Sequence, residues 1–324
     1  MSVKNILVTG GAGFIGSNIV EALLNSDRVG RVLVLDNLST GNIKNIAEFL
    51  HHPKFKFIEG DIRNFETCRN VCVGIDMVCH QAALGSVPRS IKDPIATNEV
   101  NITGTLNVFT AAKEAGINKV VYAASSSTYG DSKVLPKVEE TIGKPLSPYA
   151  VTKYVNELYA DVFNKTYGIN FIGLRYFNVF GPKQSPEGAY AAVVPLFINS
   201  ILKGESPTIN GDGLQSRDFT YVANAVQANM KALFCENLAA WNQIYNIAVG
   251  EQTTVKDMYN ILCAIIGSNV KANFGPEREG DVKHSMANIS KALKALEYQP
   301  EVFIKQGLSF TFNWFKENIA LSYK

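Results

Sequence analysis

The stretch Ile6-Leu7-Val8-Thr9-Gly10-Gly11-Ala12-Gly13-Phe14-Ile15-Gly16 constrains this chain more than any other. An apolar run with strand propensity meets four glycines. Apolar residues at helical spacing follow: Phe14, Ile15, Ile19, Val20, Leu23 and Leu24. A strand that turns tightly into a helix N-terminus makes an anion site, because unpaired backbone N–H groups and the helix dipole converge there. Glycines let such a turn approach a pyrophosphate and pack the helix on its strand. Two registers fit. Gly11, Gly13 and Gly16 satisfy G-x-G-x-x-G, while Gly10, Gly13 and Gly16 satisfy the related G-x-x-G-x-x-G.

A glycine motif alone also describes an ordinary turn, so the next strand carries the decision. Arg31-Val32-Leu33-Val34-Leu35-Asp36 reads as a buried strand. It ends in an acid about twenty residues beyond the loop, where a dinucleotide site places its ribose-binding carboxylate. Asp36 can accept from the ribose hydroxyls, and its charge repels a 2′-phosphate; NAD is expected over NADP. Gly10, Gly13, Phe14, Ile15 and Gly16 are the expected cofactor contacts at the loop. The turn Asn37, Leu38, Ser39, Thr40 and Gly41 is placed to continue around the adenosine half.

The pattern then repeats as strand and helix. Residues 55–59 read as a third strand, followed by Gly60-Asp61-Ile62. Asp61 either meets the adenine amino group, caps the helix from Asn64 onward, or does both. Residues 75–80 form a fourth strand, and Gln81, Ala82 and Ala83 are small or polar enough for close cofactor approach. His80 reads as a packed histidine, since no carboxylate partner is evident. A helical pattern covers 97–115 and a fifth strand 118–124, which opens into Ser125, Ser126 and Ser127. Ser147-Pro148-Tyr149 starts the next helix, and a sixth strand spans 170–175. Such alternation specifies an α/β fold, a Rossmann-type doubly wound parallel sheet.

After Gly181-Pro182 the rhythm loosens. A helix over 191–203 is expected, kinked by Pro195. The Gly211-Asp212-Gly213 turn and the basic residues Arg217, Arg278 and Lys283 suggest a smaller C-terminal α/β substrate lobe. The expected division is residues 1–180 for NAD and 181–324 mainly for substrate, with later segments interleaving into the first part.

With 324 residues, the chain is long enough for this arrangement and a substantial core. A net charge of +2 from 31 basic and 29 acidic residues carries no nucleic-acid or membrane signature. No apolar run is long enough to span a bilayer. Met1-Ser2-Val3-Lys4 leads straight into the first strand without room for a signal peptide, so a cytoplasmic location is expected. Five cysteines (Cys68, Cys72, Cys79, Cys235 and Cys263) make an odd number without a C-x-x-C. Cys68 and Cys72 share a helix face, but no His cluster completes a metal site, so reduced thiols and no metal are expected.

Tyr149 and Lys153 stand four apart, on one face of a helix. A phenol with a pKa of about 10 is a poor base at neutral pH. A nearby cation favours the phenolate, and oxidised nicotinamide adds another positive charge. The expectation is a Tyr149 general base lowered by Lys153, with Ser125 bonded to the reacting hydroxyl and passing its proton toward Tyr149.

These residues resemble the extended short-chain dehydrogenase/reductase family, over residues 4 to about 318. Two runs are similar to the nucleotide-sugar 4-epimerases, above all the UDP-N-acetylglucosamine 4-epimerases of bacterial polysaccharide pathways. They are Ala83-Leu84-Gly85-Ser86-Val87-Pro88-Arg89-Ser90 and Arg175-Tyr176-Phe177-Asn178-Val179-Phe180-Gly181-Pro182. The resemblance implies that Ser125, Tyr149 and Lys153 are catalytic. It places Tyr176 by the nicotinamide, Asn178 at the diphosphate, and Arg217 and Arg278 as its neutralising cations. Ser86 and Ser126 join the substrate contacts. Ser285 falls where glucose-specific members carry a tyrosine, leaving room for an N-acetyl group on carbon 2. Dehydratases carry an Asp-Glu pair where Ser126 and Ser127 stand here, and decarboxylases a Glu where Ser127 stands.

The implied reaction is cyclic. The 4-hydroxyl loses its proton to Tyr149, through or beside Ser125, and its hydride to NAD. The 4-keto sugar turns over and takes the hydride back on its other face. UDP-N-acetylglucosamine and UDP-N-acetylgalactosamine are the expected pair, with UDP-glucose or a UDP-hexuronic acid as alternatives. A protein that only senses NAD redox state is the non-enzymatic alternative, against which the intact Ser125, Tyr149 and Lys153 argue. In this family the helices around 98–115 and 149–163 pair with their mates in a four-helix bundle, which implies a homodimer.

Overall fold

Apolar runs separated by amphipathic helices close into one twisted sheet with helices on both faces. The computed structural model describes residues 3–186, 192–277 and 282–322. In chain order the first half contains β1 (Lys4–Thr9), α1 (Phe14–Leu24), β2 (Val29–Asp36), β3 (Phe55–Glu59), α2 (Phe65–Val71) and β4 (Met77–His80). Next come α3 (Val87–Lys92), α4 (Pro94–Asn98), a π-helical segment Glu99–Gly104, α5 (Thr105–Glu114), β5 (Lys119–Ser125), α6 (Pro148–Tyr167) and β6 (Asn170–Tyr176). The second half adds β7 (Val179–Phe180), α7 (Val193–Leu202), β8 (Thr208–Asn210), β9 (Ser216–Arg217), β10 (Thr220–Tyr221), α8 (Val222–Leu233) and β11 (Gln243–Ile247). It ends with β12 (Thr253–Thr254), α9 (Val255–Ile266), β13 (Asn273–Gly275), α10 (Ser290–Leu296) and α11 (Ile304–Ser322).

The sheet has seven strands in the order β11-β6-β5-β4-β1-β2-β3, and every pairing is parallel. Strands covered on both faces need apolar residues on both faces. β1 meets this with Ile6, Leu7 and Val8, and β2 with Val32, Leu33, Val34 and Leu35, all buried. One apolar layer joins Ile6, Ile19, Val34 and Leu23 to Ala228, Leu233, Tyr245 and Ile247. The other joins Leu7, Leu33 and Val78 to Phe109, Tyr122, Phe163 and Phe171. Although α8 and β11 follow residue 181 in the chain, they complete the first layer and the sheet edge. A third core, around Phe180, Phe197, Phe219, Met258 and Leu308, belongs to the smaller lobe.

Local chemistry sets the helix ends near the site. Ser147 caps α6 by accepting from Ala150 N at 3.1 Å, Pro148 begins the first turn, and Gly168 (φ 74°) ends the helix. The expected helix over 97–115 is a longer run from Pro94 to Glu114, interrupted by the π segment. That segment turns buried Asn101 so that it donates to Leu84 O at 3.2 Å and to Thr152 Oγ1 at 3.1 Å. Pro195 produces no interior kink: α7 begins at Val193, so Pro195 falls in the first turn, where its missing N–H has no helical acceptor to lose. Asp61 is not the cap of α2. Asn64 is, accepting from Thr67 N at 2.9 Å. Among the described residues no helix is long and apolar enough to cross a membrane.

All five cysteines are free, and four are buried. Burial pushes the Cys68, Cys72 and Cys79 thiols up to about 12. His80 is buried between two hydroxyls, Thr9 Oγ1 at 2.6 Å and Thr105 Oγ1 at 2.9 Å. Burial, and secondarily the Lys153 charge, lowers its pKa from 6.5 to about 3. The unfolded chain therefore takes up a proton near pH 6.5 that the folded chain refuses until about pH 3. Through that window His80 makes stability fall as pH falls, by up to about 1.4 kcal/mol per pH unit. Denaturant titrations from pH 7 to pH 4 should show a shallower loss for His80→Gln than for the parent; parallel curves would contradict the assignment.

Candidate active site

The carboxyl ends of a doubly wound sheet are where helices and loops diverge, and a crevice opens there. In this chain it is a cavity of about 830 Å³, lined in turn by the ends of β1 (Gly10), β2 (Asp36), β4 (Gln81), β5 (Ser125) and β6 (Tyr176). It continues past Asn178 to Arg217 and Ser285 of the smaller lobe. One cavity thus brings together Gly10, Gly13, Phe14, Ile15, Gly16, Asp36, Asn37, Ser39, Thr40, Asp61, Ile62, Gln81, Ala82 and Ala83. At its other end it collects Ser86, Ser125, Ser126, Tyr149, Lys153, Tyr176, Asn178, Arg217 and Ser285. Gly41 does not line it, packing instead against Asp36 and Ala12. Arg278 lies outside the described residues.

The glycine register is decided by space. Gly10 has φ 71°, and a Cβ there would stand 2.6 Å from Ala82 N. Gly11 faces away from the cavity, where a Cβ would stand 2.7 Å from Val34 Cγ1. Gly10, Gly13 and Gly16 therefore form the cavity edge, and Gly11 serves the packing of the turn on β2. Gly13 caps α1 without a side chain, so the first-turn amides of Phe14, Ile15 and Gly16 have no intrahelical acceptor. Asp36 is buried, accepting from Ala12 N and Leu38 N, each at 2.9 Å. Burial raises its carboxyl above the ordinary value, and those amides oppose the shift. Open amides at a glycine-edged helix start, with a carboxylate one strand away, are a donor set that fits a dinucleotide.

Asp61 is held by a residue the sequence reading passed over. Arg63 donates to it through Nη2 at 2.7 Å and Nε at 3.1 Å, and Asn37 Nδ2 donates at 2.8 Å. The Arg63 hydrogen bond leads the effects that bring Asp61 down to about 2. Two further asparagines, also passed over, position the middle of the cavity. Asn101 clamps the Leu84 loop as described. Asn229 of α8 donates to Tyr176 Oη at 2.7 Å and accepts from Gln81 Nε2 at 3.1 Å, while Tyr176 Oη donates to Gln81 Oε1 at 3.1 Å. Nothing local in the sequence marks Asn229, because only the packing of α8 on the sheet brings it there.

At the sugar-facing end, Ser125 ends β5 and Tyr149 and Lys153 occupy successive turns of α6. Lys153 Nζ donates to Ala123 O at 2.8 Å. Burial lowers Lys153 to about 8, with Glu157 one turn on opposing the shift. Burial raises the Tyr149 phenol, and its hydrogen bond with Ser125 opposes that. The phenol therefore lies above its ordinary value, opposite to the expected depression, because desolvation of the phenolate outweighs the Ser125 hydrogen bond. Ser125 Oγ accepts from Ser127 Oγ at 2.8 Å and Ser127 N at 3.2 Å. A hydroxyl has two acceptor positions and one hydrogen. With both positions filled, Ser125 is left to donate.

Asp218 ties the second lobe to this end. It is fully buried and accepts from Val249 N at 3.0 Å, Gly250 N at 3.1 Å and Ala287 N at 3.2 Å; burial pushes it up to about 6. Its own carbonyl accepts from Asn178 Nδ2 at 3.4 Å. Arg217 donates to Ser216 O at 2.8 Å and Lys283 O at 3.3 Å, and Ser285 N donates to Ser216 O at 3.1 Å.

Residues 6–248 match the NAD dependent epimerase/dehydratase family. A putative UDP-glucose 4-epimerase of Methanocaldococcus jannaschii is 40% identical over 315 residues, covering 97% of this chain and 99% of the relative. The UDP-N-acetylglucosamine 4-epimerase of Methanobrevibacter ruminantium M1, solved in complex with UDP-N-acetylmuramic acid, is 39% identical with a TM-score of 0.92. The match covers 98% of this chain and 100% of that one. The UDP-glucuronic acid 4-epimerase of Bacillus cereus, solved with UDP-glucuronic acid and NAD, is 33% identical with a TM-score of 0.88, covering 97% and 99%. The chain belongs to the NAD dependent epimerase/dehydratase family, within the extended short-chain dehydrogenases/reductases, and NAD is its cofactor.

Proposed function

We propose that the protein is a UDP-sugar 4-epimerase that interconverts UDP-N-acetylglucosamine and UDP-N-acetylgalactosamine, in the cytoplasm and for surface polysaccharide synthesis. The observation that carries the reaction class is the meeting of Ser125, Tyr149 and Lys153 in a cavity whose carboxylates among the described residues, Asp36 and Asp61, lie at the other end. Water elimination needs an acid beside the sugar; Ser126 and Ser127 stand there instead. Proton removal at one hydroxyl needs only one base.

Bound NAD supplies a reversible acceptor for the hydride at carbon 4 and, when oxidised, a positive charge beside the phenol. Tyr149 Oη takes and returns the 4-hydroxyl proton. Lys153 keeps its ammonium fixed at the Ala123 carbonyl behind that phenol. Ser125, with its acceptor positions filled by Ser127, donates its hydrogen toward the phenol or the sugar oxygen. Asn178 and Arg217 anchor the diphosphate, with Arg278 as a second cation, since guanidinium groups meet phosphate oxygens bidentately. Anchoring the nucleotide while leaving the ring loosely held permits the turnover that epimerisation requires.

A lining serine at 285 supports the acetylated pair, because its small side chain leaves space that a tyrosine would fill. The relatives named for UDP-glucose and UDP-glucuronic acid favour a second reading, a 4-epimerase of those sugars. A homodimer through a four-helix bundle is part of the proposal. Its support is a row of exposed apolar side chains on the outer helices: Ile91, Ile95, Val151, Leu158 and Val162, the last three at helical spacing on α6.

Three measurements test these statements. Tyr149→Phe should retain bound NAD and lose turnover by about 10²- to 10⁴-fold; near-parental turnover would mean another group takes the proton. Ser285→Tyr should abolish turnover of the acetylated pair with NAD content unchanged, and parental epimerisation of UDP-N-acetylglucosamine would move the gate elsewhere. Light scattering at micromolar concentration should give twice the chain mass; a monomer mass would remove the bundle.

A further inference from the structure

Side chains from distant parts of the chain close a ring at the carboxyl end of the sheet. Asn229 Nδ2 donates to Tyr176 Oη at 2.7 Å, Tyr176 Oη donates to Gln81 Oε1 at 3.1 Å, and Gln81 Nε2 donates to Asn229 Oδ1 at 3.1 Å. An amide side chain carries two N–H donors and a phenol one O–H. The amide hydrogens outside the ring are taken as well. Asn229 Nδ2 donates to Ala225 O at 2.8 Å, and Gln81 Nε2 to Cys79 Sγ at 3.4 Å. Every side-chain donor of the ring is thus bonded within the protein, and none is left for a ligand.

The ring also has a defined place. Gln81 follows β4 and Tyr176 ends β6, the two strands that flank β5 and its terminal Ser125. Both side chains line the cavity, whereas Asn229, 0% exposed, stands behind them on α8. Ala228 of α8 and Tyr176 pack in one apolar layer, while Ala160 and Phe163 of α6 pack in the other. The ring therefore belongs to the sheet face opposite the helix that carries Tyr149 and Lys153. Burial raises the Tyr176 phenol well above its ordinary value, so it keeps its proton.

We propose that Asn229 is a positioning residue for the cofactor: by closing the ring it holds the Tyr176 phenol and the Gln81 amide as a fixed wall, without free donors, against which the nicotinamide of NAD rests with its other face toward Tyr149 and the sugar. The inference rests on the 4-epimerase reading above for the place of the nicotinamide. A phenol free to rotate would let that ring tilt away from the reacting carbon, and hydride transfer tolerates little displacement. It would also loosen a cofactor that must stay bound while the hydride is taken and returned.

The test follows release of NAD from the NAD-loaded protein, trapped as it leaves by an auxiliary dehydrogenase, in a double-mutant cycle of Asn229→Leu and Tyr176→Phe. Asn229→Leu leaves Gln81 and Tyr176 unpaired, so it should speed release by roughly 5- to 100-fold in the parent. In the Tyr176→Phe background the hydroxyl that Asn229 holds is already gone, and the same substitution should have a several-fold smaller effect. Equal factors in the two backgrounds overturn the proposal, since a residue that only packs α8 acts alike with or without that hydroxyl. Unchanged release in Asn229→Leu overturns it too. If that variant does not fold, Asn229→Ala opens the same ring without added apolar bulk and enters the same cycle. Epimerisation of UDP-N-acetylglucosamine by the same proteins should lose kcat while KM for the sugar holds. A parent that turns over no UDP-sugar removes the epimerase reading, and the release cycle still decides the wall; parental turnover with equal factors in the cycle removes the wall alone.

Discussion

The buried pair between Glu157 of α6 and Arg175 of β6 holds the reacting end of the cavity together. Two hydrogen bonds, at 2.8 and 2.7 Å, join guanidinium and carboxylate with side chains only 3% and 4% exposed. Burying two charges costs several kcal/mol per ion, and only a well-formed bidentate pair with its remaining donors satisfied offsets that cost. Arg175 meets this condition by also donating to Glu139 O at 3.0 Å and stacking on Tyr129 at 4.8 Å. Glu157 is two turns beyond Tyr149 and one beyond Lys153, while Arg175 immediately precedes Tyr176. The pair therefore fixes the rotation of α6 against the strand that delivers Tyr176.

From that fixed helix the electrostatics of the cavity follow. Desolvation raises Tyr149 and lowers Lys153, bringing an acid and a base that are ordinarily similar in pKa apart in opposite senses to their charged forms. The phenol is thus poised to respond to a positive charge arriving beside it. At the far end, Asp61 is held ionised by Arg63, and Asp36 is spanned by backbone amides. Among the described residues the carboxylates lining the cavity, Asp36 and Asp61, lie beside the glycine turn, while Lys153 and Arg217 line it farther on, a division suited to an extended nucleotide ligand.

The smaller lobe reaches the site through a few buried polar contacts. Asp218 draws the residues after β11 and the segment after Ser285 onto one carboxylate. Arg217, its neighbour, and Asn178, bonded to its carbonyl, inherit their positions from that node.

How much of this could be read from the chain depends on whether the cause is local. The parallel sheet, the glycine turn, the acid at the end of β2 and the Tyr149-Lys153 pair on one helix face follow from periodicity and spacing, because each arises within a few consecutive residues. The glycine register did not. Which of Gly10 and Gly11 faces the cavity depends on Ala82 and Val34, brought close only by strand pairing. Asn229, Asn101 and Arg63 escaped notice for the same reason, and so did the raised pKa of Tyr149, since desolvation depends on everything packed around a group. The sequence by itself determined the strand–helix order and the chemistry offered along it. Only the tertiary structure decided which side chains meet and which hydrogen-bond positions are already filled, because both depend on groups brought together from distant parts of the chain.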